Sequence, residues 1–373
     1  MNNLKLPNVI LYFCGIHNSH PQKYLQLHNE LSKNCDVLSL IDGGKWGLSE
    51  EKILKYRGDK FPLENVKVVD PGTAFQVIHQ AGQALKNASF NPVCVMSSNY
   101  RKGHVENADV NCARSAGFAT VQISEMANEF YYAGADYSSV LSKKFESIYT
   151  HKNYGNSKML YSNCLLWDVV DPGESMQLSR EEFCLKYGLD PSLPVFVWGP
   201  DAIQCQHQEA QEVYKEVCKI PNVILKLHPN EVRRHKAERF GGKWSYELFT
   251  DRKVPVLDPL DTHWAFTYMD ALINYQSTLS MEVPMYNKPT IYVNTNSENN
   301  LLFNEEAKRA HFSEYDFEWV GSSCEANQIV EYVKDPKNYQ VGAVQYEEYR
   351  KKYLHEPAVP AYKLLSQQIL DIL

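Results

Sequence analysis

The sequence predicts an α/β protein made of two doubly wound, mainly parallel sheet domains. Three observations carry that expectation. At 373 residues the chain exceeds the size at which a single hydrophobic core stops growing. Short β-rich runs alternate with helical patterns along nearly its whole length, as βαβ units do. The alternation pauses once, at Asp171-Pro172-Gly173, and a second series of the same kind begins near Ser179.

In the first series the strand-like runs are Val9–Gly15, Asp36–Asp42, Val66–Asp70, Pro92–Ser97, Phe118–Ser124 and Ser147–His151. Helical patterns cover Gln22–Lys33, Ser49–Tyr56 and Ala74–Lys86, the first with Tyr24, Leu25, Leu27, His28 and Leu31 on one stripe. The second series places strands at Val195–Gly199, Val223–Leu227, Val254–Leu257, Ala271–Tyr275 and Thr290–Val293. Its helices fall at Glu181–Tyr187, Gln208–Cys218, Ala326–Val333, Tyr346–Leu354 and Ala361–Leu373. The expected domains are 1–175 and 176–358, with residues 359–373 as a separate terminal helix. In open parallel sheets ligands bind beyond the carboxyl ends of strands, so two such domains facing each other define one interdomain cleft.

The bulk composition narrows the class. A net charge of −7 argues against a general nucleic-acid binder, since nothing offsets phosphate repulsion globally. No apolar run approaches the roughly 20 residues of a membrane helix, and Val9–Phe13 is too short for a signal peptide. The nine cysteines form no C-x-x-C pair and no zinc-type spacing, so reduced thiols in the cytoplasm are expected.

The sharpest local feature is Val223-Ile224-Leu225-Lys226-Leu227-His228-Pro229-Asn230. Strand alternation puts Lys226 and His228 on one face at the strand's carboxyl end, where Pro229 halts the ladder. An ammonium beside an imidazole there suits a phosphate, although a strand-edge lysine with a turn-capping histidine has the same pattern. A second feature follows the strand Ala271–Tyr275, where Gln276-Ser277-Thr278 opens a helix whose free N–H groups favour an anion. Glu282 lies four residues after Thr278 and would share its helix face, ready for ribose hydroxyls or simply for the helix dipole. Pro284 requires this helix to start late or kink.

Together these features resemble the nucleotide half of glycosyltransferase-B (GT-B) enzymes. Lys-x-His-Pro, then Ser-Thr-x-x-x-Glu, then Lys-Pro-Thr-Ile at Lys288–Ile291, is most similar to enzymes that use cytidine nucleotides. The motifs lie within residues 195–295, and the rest of the chain resembles the fold only by element order. Within that group the chain looks most like retaining β-Kdo transferases, which use CMP-Kdo in capsule and lipopolysaccharide synthesis. The resemblance implies a nucleophilic carboxylate at the end of Val195-Phe196-Val197-Trp198-Gly199-Pro200, which here is Asp201. A second carboxylate must handle the acceptor's proton, and Glu125, after Ala119–Ser124, fits. It also implies that the last helix crosses back onto the first domain.

Further candidates for sugar or acceptor contacts are His17 and Asn18 after the first strand, and Ser98 and Arg101 after the fourth. Asp42-Gly43-Gly44 resembles the acidic-Gly motif of some bacterial sialyltransferases but lacks its paired acid. No G-x-x-x-x-G-K-[ST], G-x-G-x-x-G or D-x-D pattern occurs, so a metal- and cofactor-independent transfer is expected, with Lys226 and His228 neutralising the leaving phosphate. The expected partners are a CMP-sugar donor and an oligosaccharide or lipid-linked glycan acceptor, met at the inner face of the membrane. Alternatives are a sialyltransferase, a glycerol-phosphate transferase, a UDP-sugar 2-epimerase, or a non-catalytic glycan- or nucleotide-binding module.

Overall fold

Two parallel sheets organise the chain, one in each of two units. The computed structural model describes residues 6–13, 21–43, 65–98, 108–124, 134–146, 157–170, 178–200, 208–227, 254–275, 277, 279–294 and 319–373. One unit comprises Met1–Gln177 with Lys351–Leu373, and the other Leu178–Arg350.

The first unit holds a seven-stranded sheet of β1 (Val9–Phe13), β2 (Val37–Asp42), β3 (Val66–Val69), β4 (Val93–Ser98), β5 (Ala119–Ser124), β6 (Tyr137–Val140) and β7 (Lys158–Tyr161). The order is β3-β2-β1-β4-β5-β6-β7 and every pair is parallel. All of Val9–Phe13 is buried, the continuous apolar run that a central parallel strand covered on both faces requires. Around it lie α1 (Pro21–Leu31), α2 (Pro71–Ala84) and α3 (Ala108–Ser115). The helix α2 starts ahead of its apolar periodicity because Asp70 caps it, accepting a 3.0 Å bond from Thr73 N, while Pro71 presets the first turn.

The second unit contains β8 (Phe196–Pro200), β9 (Val223–Leu225), β10 (Ala271–Tyr275), β11 (Thr290–Asn294) and β12 (Gly321–Glu325), in the order β12-β11-β10-β8-β9. Its helices are α4 (Arg180–Tyr187), α5 (Gln208–Val217), α6 (Thr262–Tyr268), α7 (Leu279–Glu282) and α8 (Ile329–Tyr332). A reciprocal Ser179–Glu182 capping box starts α4 and left-handed Gly188 ends it. Alternate strand residues feed two core layers. Trp198, Leu225, Ile273 and Ile291 pack with Val213 and Val217 of α5. Val197, Ile224 and Leu272 pack on the other face with Phe183, Trp264 and Phe266.

Two last helices follow, α9 (Ala343–Tyr353) and α10 (Ala361–Leu370). The latter packs on α1 and β7 and buries Leu365 and Ile369 completely. Side chains of the first unit hold the segment that leads into it. Asn163, in the left-handed region at φ 60°, accepts bonds from His355 N (2.7 Å) and Glu356 N (3.2 Å). Its amide donates in turn to Glu356 O (3.0 Å) and Val359 O (2.9 Å). The Asp168 carboxylate accepts from Ala361 N at 2.7 Å and Tyr362 N at 2.8 Å, capping the start of α10. Buried Lys23 donates to Leu166 O beside it.

Several expectations change. Val254–Leu257 is no full strand: a single bridge joins Val256 to Leu225, because Pro255 has no N–H for a ladder. The helix expected over Ala326–Val333 is a 3-10 turn, Ala326–Gln328, leading into α8. The strands β6, β7 and β12 were not anticipated at all. The helix expected at Ser49–Tyr56 and the strand at Ser147–His151 lie outside the described residues. Seven of the cysteines are among the described residues and form no disulfide there, and no helix among these residues is long and apolar enough to cross a membrane.

Candidate functional site

Strand order locates where a ligand belongs in each sheet. In the second unit the chain runs from β8 outward to β9 and then returns to β10 on the other side of β8. In parallel sheets such a reversal marks the ligand-binding end, which here lies beyond the carboxyl ends of β8 and β10. Register places four residues in one row there. Trp198 pairs with Leu225 and Gly199 with Asn274, while Asn274 pairs with Tyr292 of β11. Lys226 extends the β9 end of this row, its N–H donating to Trp198 O at 2.9 Å.

Lys226 is 7% exposed. Val223, Leu225 and Leu227 join one core layer and Ile224 the other, so the alternation read from the sequence persists past the strand's end. Lys226 therefore shares a sheet face with Asn274 and Tyr292, two strand spacings (roughly 10 Å) from Asn274. Between them stands Gly199, where a Cβ would come within 2.8 Å of Leu279 Cδ1, so the missing side chain lets α7 settle onto β8.

The turn from β10 into α7 is closed by side chains. Fully buried Asn274 accepts from Ser277 N at 2.9 Å and donates to Ser277 O at 2.7 Å. Ser280 Oγ also donates to Ser277 O, at 3.1 Å, and Ser277 Oγ accepts a long 3.4 Å contact from Leu279 N. The described contacts of Ser277 are thus made within the turn, to Asn274, Leu279 and Ser280. The helix α7 is short. It gives way after Glu282 to the 3-10 turn Val283–Tyr286, with Pro284 in its first turn, and left-handed Asn287 ends it. Glu282 is the last residue of α7, and Thr278, expected to share its helix face, lies outside the described residues.

Lys288 of the Lys-Pro-Thr-Ile run lies before β11, at the opposite end of the sheet from this row. Burial lowers its pKa, opposed by the nearby Asp270 carboxylate. His228, Thr278 and the two expected catalytic carboxylates, Asp201 and Glu125, lie outside the described residues. Asp201 directly follows β8 and Glu125 directly follows β5.

In the first unit the order reverses between β1 and β4. Those strands end at Phe13 and Ser98, and Ser98 pairs with Ser124 of β5. His17, Asn18 and Arg101, expected in the loops beyond β1 and β4, lie outside the described residues. Sequence reasoning did not single out Asn274, Ser280, Tyr292 or Gly199. The available signal was an asparagine inside the apolar run Ala271–Tyr275, where an amide needs a dedicated partner.

No protein-family model matches the chain, and no curated protein matches it by sequence. Solved structures do match. The wall teichoic acid polymerase TagF, soaked with CDPG, is similar at a TM-score of 0.58 and 12% identity, over 98% of this chain and 88% of that one. The UDP-GlcNAc 2-epimerase of Methanocaldococcus jannaschii gives 0.57 at 10% identity, over 97% and 99% of the two chains. Anabaena HepE, in complex with UDP and glucose, gives 0.52 at 10% identity, over 97% and 98%. Together with the two parallel sheets, these likenesses define the fold as GT-B.

Proposed function

We propose that the chain processes a nucleotide-activated sugar, and that it is a glycosyltransferase moving Kdo or a related acidic sugar from a CMP donor to a glycan acceptor with retention. The observation that carries the nucleotide site is the row Lys226–Gly199–Asn274 at the point where the sheet order reverses. It sets a buried cation and the amide that holds Ser277 on one sheet face, at the strand ends where such sheets take ligands. The choice of cytidine rests on the Lys-x-His-Pro and Ser-Thr-x-x-x-Glu runs.

In this reading Lys226 and His228 neutralise the departing phosphate, and no metal or cofactor takes part. The Asp201 carboxylate attacks the anomeric carbon, and the bond from that carbon to the phosphate oxygen breaks, its electron pair leaving with CMP. An acceptor hydroxyl then displaces Asp201 while Glu125 takes the hydroxyl proton. Two inversions give net retention. Ser98, Arg101, His17 and Asn18 are assigned to the acceptor or sugar side.

A second reading, a UDP-sugar 2-epimerase, is favoured by the similarity to UDP-GlcNAc 2-epimerases, one solved with UDP-GlcNAc bound. It requires UDP and no acceptor. Thermal-shift measurements with CMP, CDP and UDP separate the two. Selective stabilisation by CMP supports the transferase, UDP selectivity transfers the assignment to the epimerase, and CDP selectivity points to a glycerol-phosphate transferase. A flat response to all three removes the nucleotide site.

A further inference from the structure

The side chains beneath the β10–α7 turn form a polar network that neither core layer needs. Tyr292 stands beside Asn274 in the register, one strand further from Lys226. Its ring is 2% exposed, and burial pushes the pKa of its phenol up against the downward pull of the Ser280 and Asn274 side chains beside it. Asn274 spends one amide N–H and its amide oxygen on Ser277, and Ser280 spends its hydroxyl hydrogen on Ser277 O. Two elements, β10 and α7, are thereby tied to a single backbone residue, and Tyr292 of β11 stands beside Asn274 in the sheet. All four side chains are at most 5% exposed.

A buried phenol, amide and pair of hydroxyls is an unfavourable way to fill a sheet surface unless each group is paired, and apolar residues would pack there without that demand. What the network provides and apolar packing cannot is a defined backbone geometry for Ser277. Gly199 supports the same end from the β8 side, by leaving the space that Leu279 occupies.

We infer that Tyr292 and Asn274 are positioning residues: from below, they hold the Ser277 backbone in the place that takes the nucleotide's phosphate, without touching the ligand. This rests on the nucleotide-site reading above and adds to it the device that sets affinity. Tyr292→Phe removes one oxygen and retains the ring. Nucleotide binding to the full-length protein is measured by calorimetry with CMP, CDP and UDP, beside Ile329→Val, a core substitution in the same unit that lies away from the turn.

The expected result for Tyr292→Phe is affinity about three- to tenfold weaker for whichever nucleotide the wild type prefers, the loss of one hydrogen bond's worth of order in the turn. Ile329→Val should bind as the wild type does. Asn274→Ala, which opens the ring around Ser277, should lose more than Tyr292→Phe. Unchanged affinity in both turn variants, or equal losses in Ile329→Val, overturns the positioning role and leaves the nucleotide site standing. A wild-type protein that binds none of the three withdraws both.

Discussion

Replacing Asn163 with alanine tests whether the return segment is held by one side chain. The substitution deletes four hydrogen bonds to His355, Glu356 and Val359. Neutral bonds of this kind contribute about 0.5–1.5 kcal/mol each, and water reaches some of the groups left behind, so about 3 kcal/mol is expected from the bonds. Position 163 also sits at φ 60°, where alanine costs about 1 kcal/mol more than asparagine. The total of about 4 kcal/mol corresponds to a Tm lower by roughly 8–16 °C for a unit of this size. Calorimetry should show the shift, and hydrogen exchange at His355 and Glu356 should accelerate most. Asn163→Gly separates the two terms, because it relieves the backbone while losing the same bonds, and should recover about 1 kcal/mol. An Asn163→Ala protein melting within 2 °C of the wild type, or a glycine variant no more stable than the alanine one, would refute the reasoning.

Two buried groups in the first unit give opposed pH dependence. Burial lifts the Asp168 carboxyl from 3.8 to about 7 against the pull of the Ala361 and Tyr362 N–H groups and of Lys23, so its contribution is full below about pH 4 and is lost as pH rises through 7. Burial lowers His28 from 6.5 to about 4, so its contribution is full above about pH 6.5 and is lost as pH falls through 4. Relative to the wild type, Asp168→Asn should therefore lose stability on acidification and His28→Gln should gain it in denaturant titrations; curves parallel to the wild type for both would contradict these assignments. Gly199→Val should destabilise the second unit by about 1–3 kcal/mol, since its Cβ would press on Leu279 and Leu272, and a denaturation midpoint equal to the wild type would exclude the close packing. Removing residues 359–373 uncovers the α1 surface beneath Leu365 and Ile369 and should lower Tm or abolish soluble expression, whereas an unchanged melt would place α10 elsewhere. Asp201→Asn should abolish transfer while leaving donor affinity intact, and near-normal turnover would remove the nucleophile assignment.

Legibility in the sequence followed hydrophobicity. The strand β10 was read residue for residue, because Ala271–Tyr275 is an apolar run bounded by polar turns. Missing β6 and β7 has a specific cause. The buried serines of β6 pair with serines that flank β7, Ser138 with Ser157 at 2.7 Å and Ser139 with Ser162 at 2.6 Å, so the segments look too polar to be core strands. The edge strand β12, Gly-Ser-Ser-Cys-Glu, carries one buried residue and no alternation to read. At the site, Lys226 was legible because its placement depends on alternation within one strand. The row through Gly199, Asn274 and Tyr292 was not, since it depends on register between strands from distant parts of the chain.

The make-up of the first unit sets an order of events during synthesis. Its main stretch ends at Gln177, yet its structure is completed only by Lys351–Leu373, and Asn91 N donates to the carbonyl of Leu373 itself, at 2.9 Å. At about 5–20 residues per second, a ribosome needs roughly 10–35 s to travel between those stretches. Throughout that interval the nascent first unit presents the groove that α10 will fill, while the second unit emerges whole. The half made first is therefore the half finished last, and during translation it is where a chaperone would find its purchase.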